Sequence, residues 1–216
     1  MVYRFIKYTL DIILSYIGFI LLLPLIIIIS ILIKITSKGP VFFKQKRVGK
    51  NKKLFTIYKF RTMRVDTPSD SPTHLLRNPD KYITKVGKFL RKTSLDEIPQ
   101  IINIMFGQMS IIGPRPALWN QYDLIDEREK YGVNNLKPGL TGWAQINGRD
   151  ELEIPDKAAL DGEYVKRQSL FFDIRIFFGT FISILKSDGV VEGGTGNKKD
   201  NTDEKLSNLE NNNEYS

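Results

Sequence analysis

The sequence predicts an α+β fold, mostly helical, with a small β-hairpin and a membrane-associated N-terminal helix. Three observations carry this. Residues Ile12 to Ile33 form an almost unbroken apolar run, the composition of a membrane segment. Val41–Val48 and Leu54–Arg61 read as strands around a basic loop, Gly49–Lys53, which is a hairpin pattern. Most of the remaining periodic stretches have helical spacing.

Composition narrows the chemistry. The chain has 216 residues, enough for one domain with its own core. It has no cysteine, which excludes disulfides, thiolate metal sites and cysteine nucleophiles. The single histidine, His74, lies in a polar loop containing proline. It reads as solvated, because no second histidine exists to share a metal or a triad. Net charge is +8 and uneven: from Val190 onward six acids face three bases, so residues 1–189 carry +11. A basic body suits an anionic partner, such as a membrane surface, a nucleic acid or a phosphorylated substrate. Three segments follow. Residues 1–36 form the anchor and 37–189 the folded body. The Asn-, Glu- and Gly-rich tail, 190–216, has too few apolar residues to order itself.

As a straight helix, Ile12–Ile33 would extend about 33 Å, enough to cross a bilayer. The run is too long for a signal peptide, and no small-residue cleavage site follows it. Pro24 sits near its middle. Proline removes the bond to the Ile20 carbonyl and pushes that carbonyl away, so a kink or break is expected. Arg4 and Lys7 flank one side; Lys34, Lys38, Lys44, Lys46 and Arg47 flank the other. The positive-inside tendency places both ends in the cytoplasm. A re-entrant helix fits both features, while a spanning helix stays open, since spanning helices tolerate proline.

Ser37–Pro40 is a turn into the hairpin. Arg61 closes the second strand, either as a solvated strand-end charge or as a phosphate contact. Val65–Pro79 is a loop rich in Pro, Ser and Asp, and Tyr82–Leu90 a short helix leading to Arg91. Then come two adjacent carboxylates, Asp96 and Glu97. Apolar residues at Ile98, Ile101, Ile102 and Met105 follow on one helical face, and Gly107 supplies a stop. Either Ser94 starts this helix, in a capping box with Glu97, or Asp96 does, with Pro99 inside the first turn. Both place the carboxylates where free backbone N–H groups point outward.

Taken alone, that stretch is a well-capped helix. Its neighbours add more: Arg91 precedes the pair, and Gly113-Pro114-Arg115-Pro116 follows the helix. A helix N-terminus with guanidinium groups nearby suits phosphate. An aspartate there would meet a phosphorus atom, which makes Asp96 a candidate nucleophile for phosphoryl transfer. Prolines on either side of Arg115 fix its backbone and pre-organise its presentation. Beyond lie a charged helix over Trp119–Tyr131 and the stretch Lys137–Arg149, with turns at Pro-Gly and Asn-Gly around a short apolar strand. Pro155–Arg167 is a further helix. Phe171–Lys186, apolar and aromatic, is either a core helix or an interfacial helix beside the anchor.

Five stretches together resemble a known family: Gly39–Gln45, Tyr58–Met63, Arg91–Gln100, Ile112–Pro116 and Pro138–Arg149. The chain resembles the monotopic phosphoglycosyl transferases, bacterial sugar transferases that begin lipid-linked glycan assembly, over about residues 5–189. The resemblance is to the minimal form, without the added membrane helices and soluble module of longer members. It implies a re-entrant helix broken near its middle, with Pro24 at the membrane kink. Some members place serine before this proline, where this chain has Leu23. It also implies a cytoplasmic catalytic domain, 37–189, on the inner membrane.

The implied reaction has two steps: Asp96 attacks the β-phosphorus of a UDP-sugar and UMP leaves. Undecaprenyl phosphate then attacks the phosphosugar-aspartyl intermediate. The implied cofactor is Mg²⁺, held by Asp96 and Glu97. Arg91, Arg115, Arg61, Gln145 and Arg149 are the implied phosphate and substrate contacts. Partners would be the UDP-sugar, undecaprenyl phosphate and the membrane, with no nucleic acid and with a homodimer left open.

Two other chemistries compete with this reading. Sugar-cleaving enzymes hold their carboxylates ~5–10 Å apart across the bond, which adjacent residues on one turn cannot do. A membrane-tethered basic scaffold for anionic lipid or nucleic acid is allowed by the hairpin loop, but no nucleic-acid module is recognisable.

Overall fold

The apolar run lies within one long helix, α1 (Val2–Thr36), in a computed structural model that describes residues 2–67, 81–148 and 152–186. The helix continues through Pro24, so of the two expected outcomes the chain does not break there. Its packing divides in two. Toward the N-terminus Lys7, Asp11 and Ser15 are buried, four residues apart and therefore on one face. Toward the C-terminus Ile26, Ile29 and Ile33 are buried together with Phe60 and Leu90. Other faces stay open, with Ile20, Leu21, Ile28 and Ile35 exposed.

Strands β1 (Phe42–Val48) and β2 (Leu54–Phe60) form the expected antiparallel hairpin, with Phe42 opposite Phe60 and Val48 opposite Leu54. Phe42 and Phe60 stack at 5.6 Å, so aromatic burial anchors the open end of the hairpin. Helix α2 (Lys85–Lys92) starts later than Tyr82 because Thr84 caps it, accepting from the Gly87 N–H at 2.9 Å. Tyr82 and Ile83 instead pair with the segment after β2, through Arg64 N–H to the Tyr82 carbonyl and a bridge from Met63 to Ile83.

A 3₁₀ turn over Leu95–Gln100 runs into α3 (Ile101–Met105), which ends before Gly107. Strands β3 (Ser110–Ile112) and β4 (Gly139–Thr141) pair in parallel. Parallel pairing requires a crossover, and α4 (Tyr122–Glu129) lies within it. The two backbones approach so closely at Gly113 and Gly139 that a Cβ on Gly139 would sit 2.1 Å from the Gly113 nitrogen. After β4 the chain forms a single helical turn, α5 (Trp143–Ile146), where the sequence suggested strand. Helices α6 (Ile154–Arg167) and α7 (Leu170–Lys186) complete the described chain.

Helix α7 has a core face and an exposed apolar face. Phe172 and Ile176 are core residues with Tyr164 and Ile112, while Phe171, Phe178 and Ile182 are exposed. A buried polar network ties α1 to α7. Lys7 Nζ lies 3.0 Å from Asp173 Oδ2, and the Tyr3 and Tyr164 hydroxyls donate to the same carboxylate at 2.7 and 2.8 Å. Ser110 Oγ donates to Asp11 at 2.5 Å. These groups satisfy one another, as buried polar groups must. Most of the Val65–Pro79 loop, His74 and the 190–216 tail fall outside the described residues.

Candidate active site

Asp96 and Glu97 do sit at the head of a helical segment, but its first turn is 3₁₀ rather than α. Pro99 has no N–H to donate, so the α-type bond back to Leu95 cannot form. Ser94 adopts a left-handed conformation, φ +57°, and its side chain caps nothing. The expected capping box is therefore absent. The Glu97 carboxylate is drawn to two cations instead of back to the backbone.

Those cations are Lys59, from β2, and Arg115. Lys59 Nζ and Arg115 Nη2 each lie 2.7 Å from Glu97 Oε1, and Arg115 Nη1 donates to Oε2 at 3.4 Å. Lys59 Nζ is also 4.0 Å from Asp96 Oδ2. The consequence is electrostatic asymmetry. Burial opposes ionisation of Glu97, but the charges and hydrogen bonds of Arg115 and Lys59 outweigh it and hold the pKa below the usual carboxylate range. Burial dominates at Asp96, with the Glu97 charge adding to it against Lys59, Arg91 and Arg115, and its pKa is raised. Neighbouring carboxylates pushed apart in this way mark acid–base or nucleophilic chemistry. Glu97 is thus favoured as the anion of the pair, and ionisation of Asp96 is opposed.

Arg91 lies in the last turn of α2, and its charge acts on Asp96. Arg115 is held from behind. Arg128 Nη1 donates to the Arg115 carbonyl at 2.9 Å, Arg47 Nη1 to the Pro116 carbonyl at 3.1 Å, and Gly139 N–H to the Pro114 carbonyl at 2.8 Å. Arg128 is itself locked to Asp161 through Nε at 2.9 Å and Nη2 at 2.5 Å, both residues being buried. Asp161→Asn should leave that guanidinium buried without a counter-charge and cost about 3–5 kcal/mol. Thermal unfolding in detergent would show it as a lowered Tm; an unchanged Tm contradicts it.

Gln145 is brought to the site. It is buried in α5, its Nε2 donates to the Leu140 carbonyl at 3.1 Å, and it lines the same cavity as Glu97. Arg61 is buried rather than solvated, and its Nη1 and Nη2 donate to the Lys38 and Ser37 carbonyls at 2.9 and 2.8 Å. These carbonyls follow the end of α1, where the helix leaves acceptors unsatisfied. Arg61 thus ties the anchor to the hairpin. Arg149 lies outside the described residues. Lys59 was not singled out in the sequence. Strand periodicity places it on the same face as Arg61, but only its packing against the 3₁₀ turn distinguishes the two.

The site opens into a cavity of about 300 Å³ between α1 and α7. Leu14, Leu22, Ile101, Phe177 and Phe181 make its walls apolar, and Glu97 marks its polar end. Among the described residues no three His, Cys, Asp or Glu side chains cluster to hold a metal. Asp96 and Glu97 are the adjacent carboxylates that could hold a Mg²⁺ ion, if substrate phosphate oxygens completed its ligands. The arrangement can therefore bind a phosphorylated group between cations, beside a largely covered carboxylate pair and an apolar cavity.

A family model described as bacterial sugar transferase matches residues 2–187. The chain is 42% identical over 184 residues to the UDP-glucose:undecaprenyl-phosphate glucose-1-phosphate transferase of Escherichia coli, covering 82% of this chain and 39% of that protein. It is 43% identical over 159 residues to the uncharacterized sugar transferase EpsL of Bacillus subtilis, 73% of this chain and 76% of that one. A third relative is the UDP-N-acetylgalactosamine-undecaprenyl-phosphate N-acetylgalactosaminephosphotransferase of Aeromonas hydrophila. It is 37% identical over 193 residues, 87% of this chain and 45% of that protein.

Proposed function

Because the chain belongs to the bacterial sugar transferase family, we propose that it transfers a sugar-1-phosphate from a UDP-sugar to undecaprenyl phosphate, releasing UMP. This would be the first membrane step of surface glycan assembly. The observation that carries the proposal is geometric: Glu97 is held at 2.7 Å by both Lys59 and Arg115, with Asp96 beside it 4.0 Å from Lys59 and Arg91 in the last turn of the preceding helix. The named relatives support the substrates: those of E. coli and A. hydrophila differ in sugar but share a UDP donor and undecaprenyl phosphate. A membrane-tethered scaffold would leave the buried carboxylate pair without a use.

In the first step an Asp96 carboxylate oxygen attacks the β-phosphorus, the bond to the UMP oxygen breaks, and UMP leaves with that electron pair. A phosphosugar-aspartyl ester remains. In the second step an oxygen of undecaprenyl phosphate attacks the same phosphorus, and the aspartyl oxygen leaves as a carboxylate. Lys59, Arg91 and Arg115 hold phosphate charge, and Glu97 keeps Lys59 and Arg115 in place. Mg²⁺ bound by Asp96, Glu97 and the donor phosphates would offset the diphosphate charge. Incubating the detergent-solubilised protein with UDP-sugars, Mg²⁺ and undecaprenyl phosphate tests the reaction and identifies the sugar. UMP release from one donor is expected, and none from any donor rejects it.

The raised Asp96 pKa has a kinetic consequence. The nucleophile must be ionised, and a raised pKa means that it is protonated at higher pH than an ordinary aspartate, about 3.9. The acid limb of kcat/KM, which reports the free enzyme, should therefore fall at a pH above that value. A limb at the ordinary aspartate value argues against the assignment.

The placement proposed for α1 is re-entrant, on the cytoplasmic face of the inner membrane, with the continuous helix bending at Pro24 rather than breaking there. Support comes from its two ends, which rest on one body. Tyr3 and Lys7 bind Asp173, while Ile33 packs with Phe60 and Leu90. A perpendicular crossing would separate these partners by the thickness of a bilayer. The cysteine-free chain permits a direct test with Val2→Cys and Lys38→Cys in intact cells. Both sites should resist an impermeant maleimide until the membrane is opened. Labelling of the Val2 site from outside would indicate a spanning helix.

A further inference from the structure

Of the two substrates proposed above, only one has hydrocarbon to bury. A UDP-sugar is polar along its whole length, whereas undecaprenyl phosphate is a phosphate on an isoprenoid chain. The cavity of about 300 Å³ that Glu97 lines is walled from three helices: Leu14 and Leu22 of α1, Ile101 and Ile104 of α3, Phe177 and Phe181 of α7. Hydroxyls on its wall are already engaged. Ser15 Oγ donates to the Ile12 carbonyl at 2.7 Å, Thr180 Oγ1 to the Ile176 carbonyl at 2.8 Å, and Thr141 pairs with Thr180 at 2.8 Å. Gln145 Oε1 is buried without a hydrogen bond, one acceptor where a sugar ring brings several hydroxyls. A sugar or nucleobase entering this space would lose its hydrogen bonds to water and find few in return. A hydrocarbon chain has none to lose.

The fold fixes the walls of this space. Lys7 of α1 and Asp173 of α7 are ion-paired at 3.0 Å, and the cavity lies between turns further along both helices. Each helix is also seated on the body at a glycine. A Cβ on Gly18 would lie 3.0 Å from Ile101 Cδ1, and one on Gly179 2.8 Å from Ile146 Cδ1. Glu97 lines the cavity, and its neighbour Asp96 is the nucleophile proposed above. A chain esterified to the attacking phosphate therefore has the cavity next to it. We infer that this cavity holds the phosphate-proximal end of the acceptor's isoprenoid chain. An apolar cavity of ~150 Å³ takes one benzene ring, six carbons, so about 300 Å³ takes roughly twelve, or two isoprene units. The remaining units lie outside it, and the protein selects its acceptor by the first two. The inference rests on the reaction proposed above.

The test charges the full chain in detergent with its UDP-sugar and Mg²⁺, then follows loss of the phosphosugar adduct as prenyl phosphates are added. Dimethylallyl, geranyl, farnesyl and undecaprenyl phosphate supply one, two, three and eleven isoprene units. The kcat/KM for discharge should rise by at least ~10² from one unit to two, the scale of burying five more carbons, and then level off. A flat series overturns the inference. So does a rise that continues evenly to eleven units, which marks partition into the micelle rather than a site of fixed size. Phosphatidylglycerol that competes with geranyl phosphate would make the cavity a phospholipid site and also overturns it. Ile184→Trp sets an indole on the cavity wall and should slow discharge by geranyl phosphate at least ~10-fold relative to UMP release without acceptor. An unchanged ratio counts against the inference; if that variant does not charge, the acceptor series on the unaltered chain decides. A chain that neither releases UMP nor forms an adduct refutes the reaction proposed above. One that forms the adduct and discharges it regardless of chain length refutes only the cavity assignment.

Discussion

Asp96→Asn should reduce turnover by at least ~10³ while leaving the fold intact. The amide keeps the shape of the side chain and loses the nucleophilic oxygen. Stability should hold for a specific reason. Burial raises the Asp96 pKa, so the ionised form is disfavoured in the folded protein, and a neutral amide removes that cost. Glu97 keeps its contacts with Lys59 and Arg115, so the cations do not lose their buried anion. UMP release and Tm measured side by side check this. Near-full turnover in the Asn variant sinks the nucleophile, and a collapsed Tm makes Asp96 a structural residue.

Arg115→Lys should cost roughly 10² in turnover, the scale of losing a pre-organised donor at a developing charge, with little change in Tm. Lysine keeps the charge but not the planar fork that reaches both Glu97 oxygens. The Arg115 side chain is one-third exposed, at 33%; Arg128 holds its carbonyl, and Arg47 and Gly139 hold those of the flanking Pro116 and Pro114. Fold and site loading should therefore separate. Full activity in the lysine variant, or inactivity that tracks unfolding, contradicts this role.

Local patterns gave the hairpin and most helices, through the apolar run and the alternation of Phe55, Ile57 and Phe60, but the Thr84 cap that starts α2 three residues after Tyr82 was not read. The carboxylate pair and Arg115 were legible for a similar reason, since Pro99 and the Pro114–Pro116 frame constrain the backbone locally. Three features were not legible. Whether Ser94 capped a helix depended on where the Glu97 side chain went, and that depended on Lys59, thirty-eight residues away. Arg61 and Lys59 share a strand face, and only packing decides that one holds the end of α1 and the other the site. The parallel pairing of β3 with β4, which precedes the turn carrying Gln145 into the cavity that Glu97 also lines, is a crossover contact that no three-residue strand announces.

The central claim is covalent, and its most direct test is mass spectrometry of the protein incubated with its UDP-sugar and Mg²⁺ but no lipid acceptor. The peptide containing Asp96 should gain the mass of a phosphosugar, with one UMP released per adduct. Adding undecaprenyl phosphate should discharge it. UMP release that requires the acceptor from the outset, or an adduct on any other residue, would contradict the covalent role of Asp96.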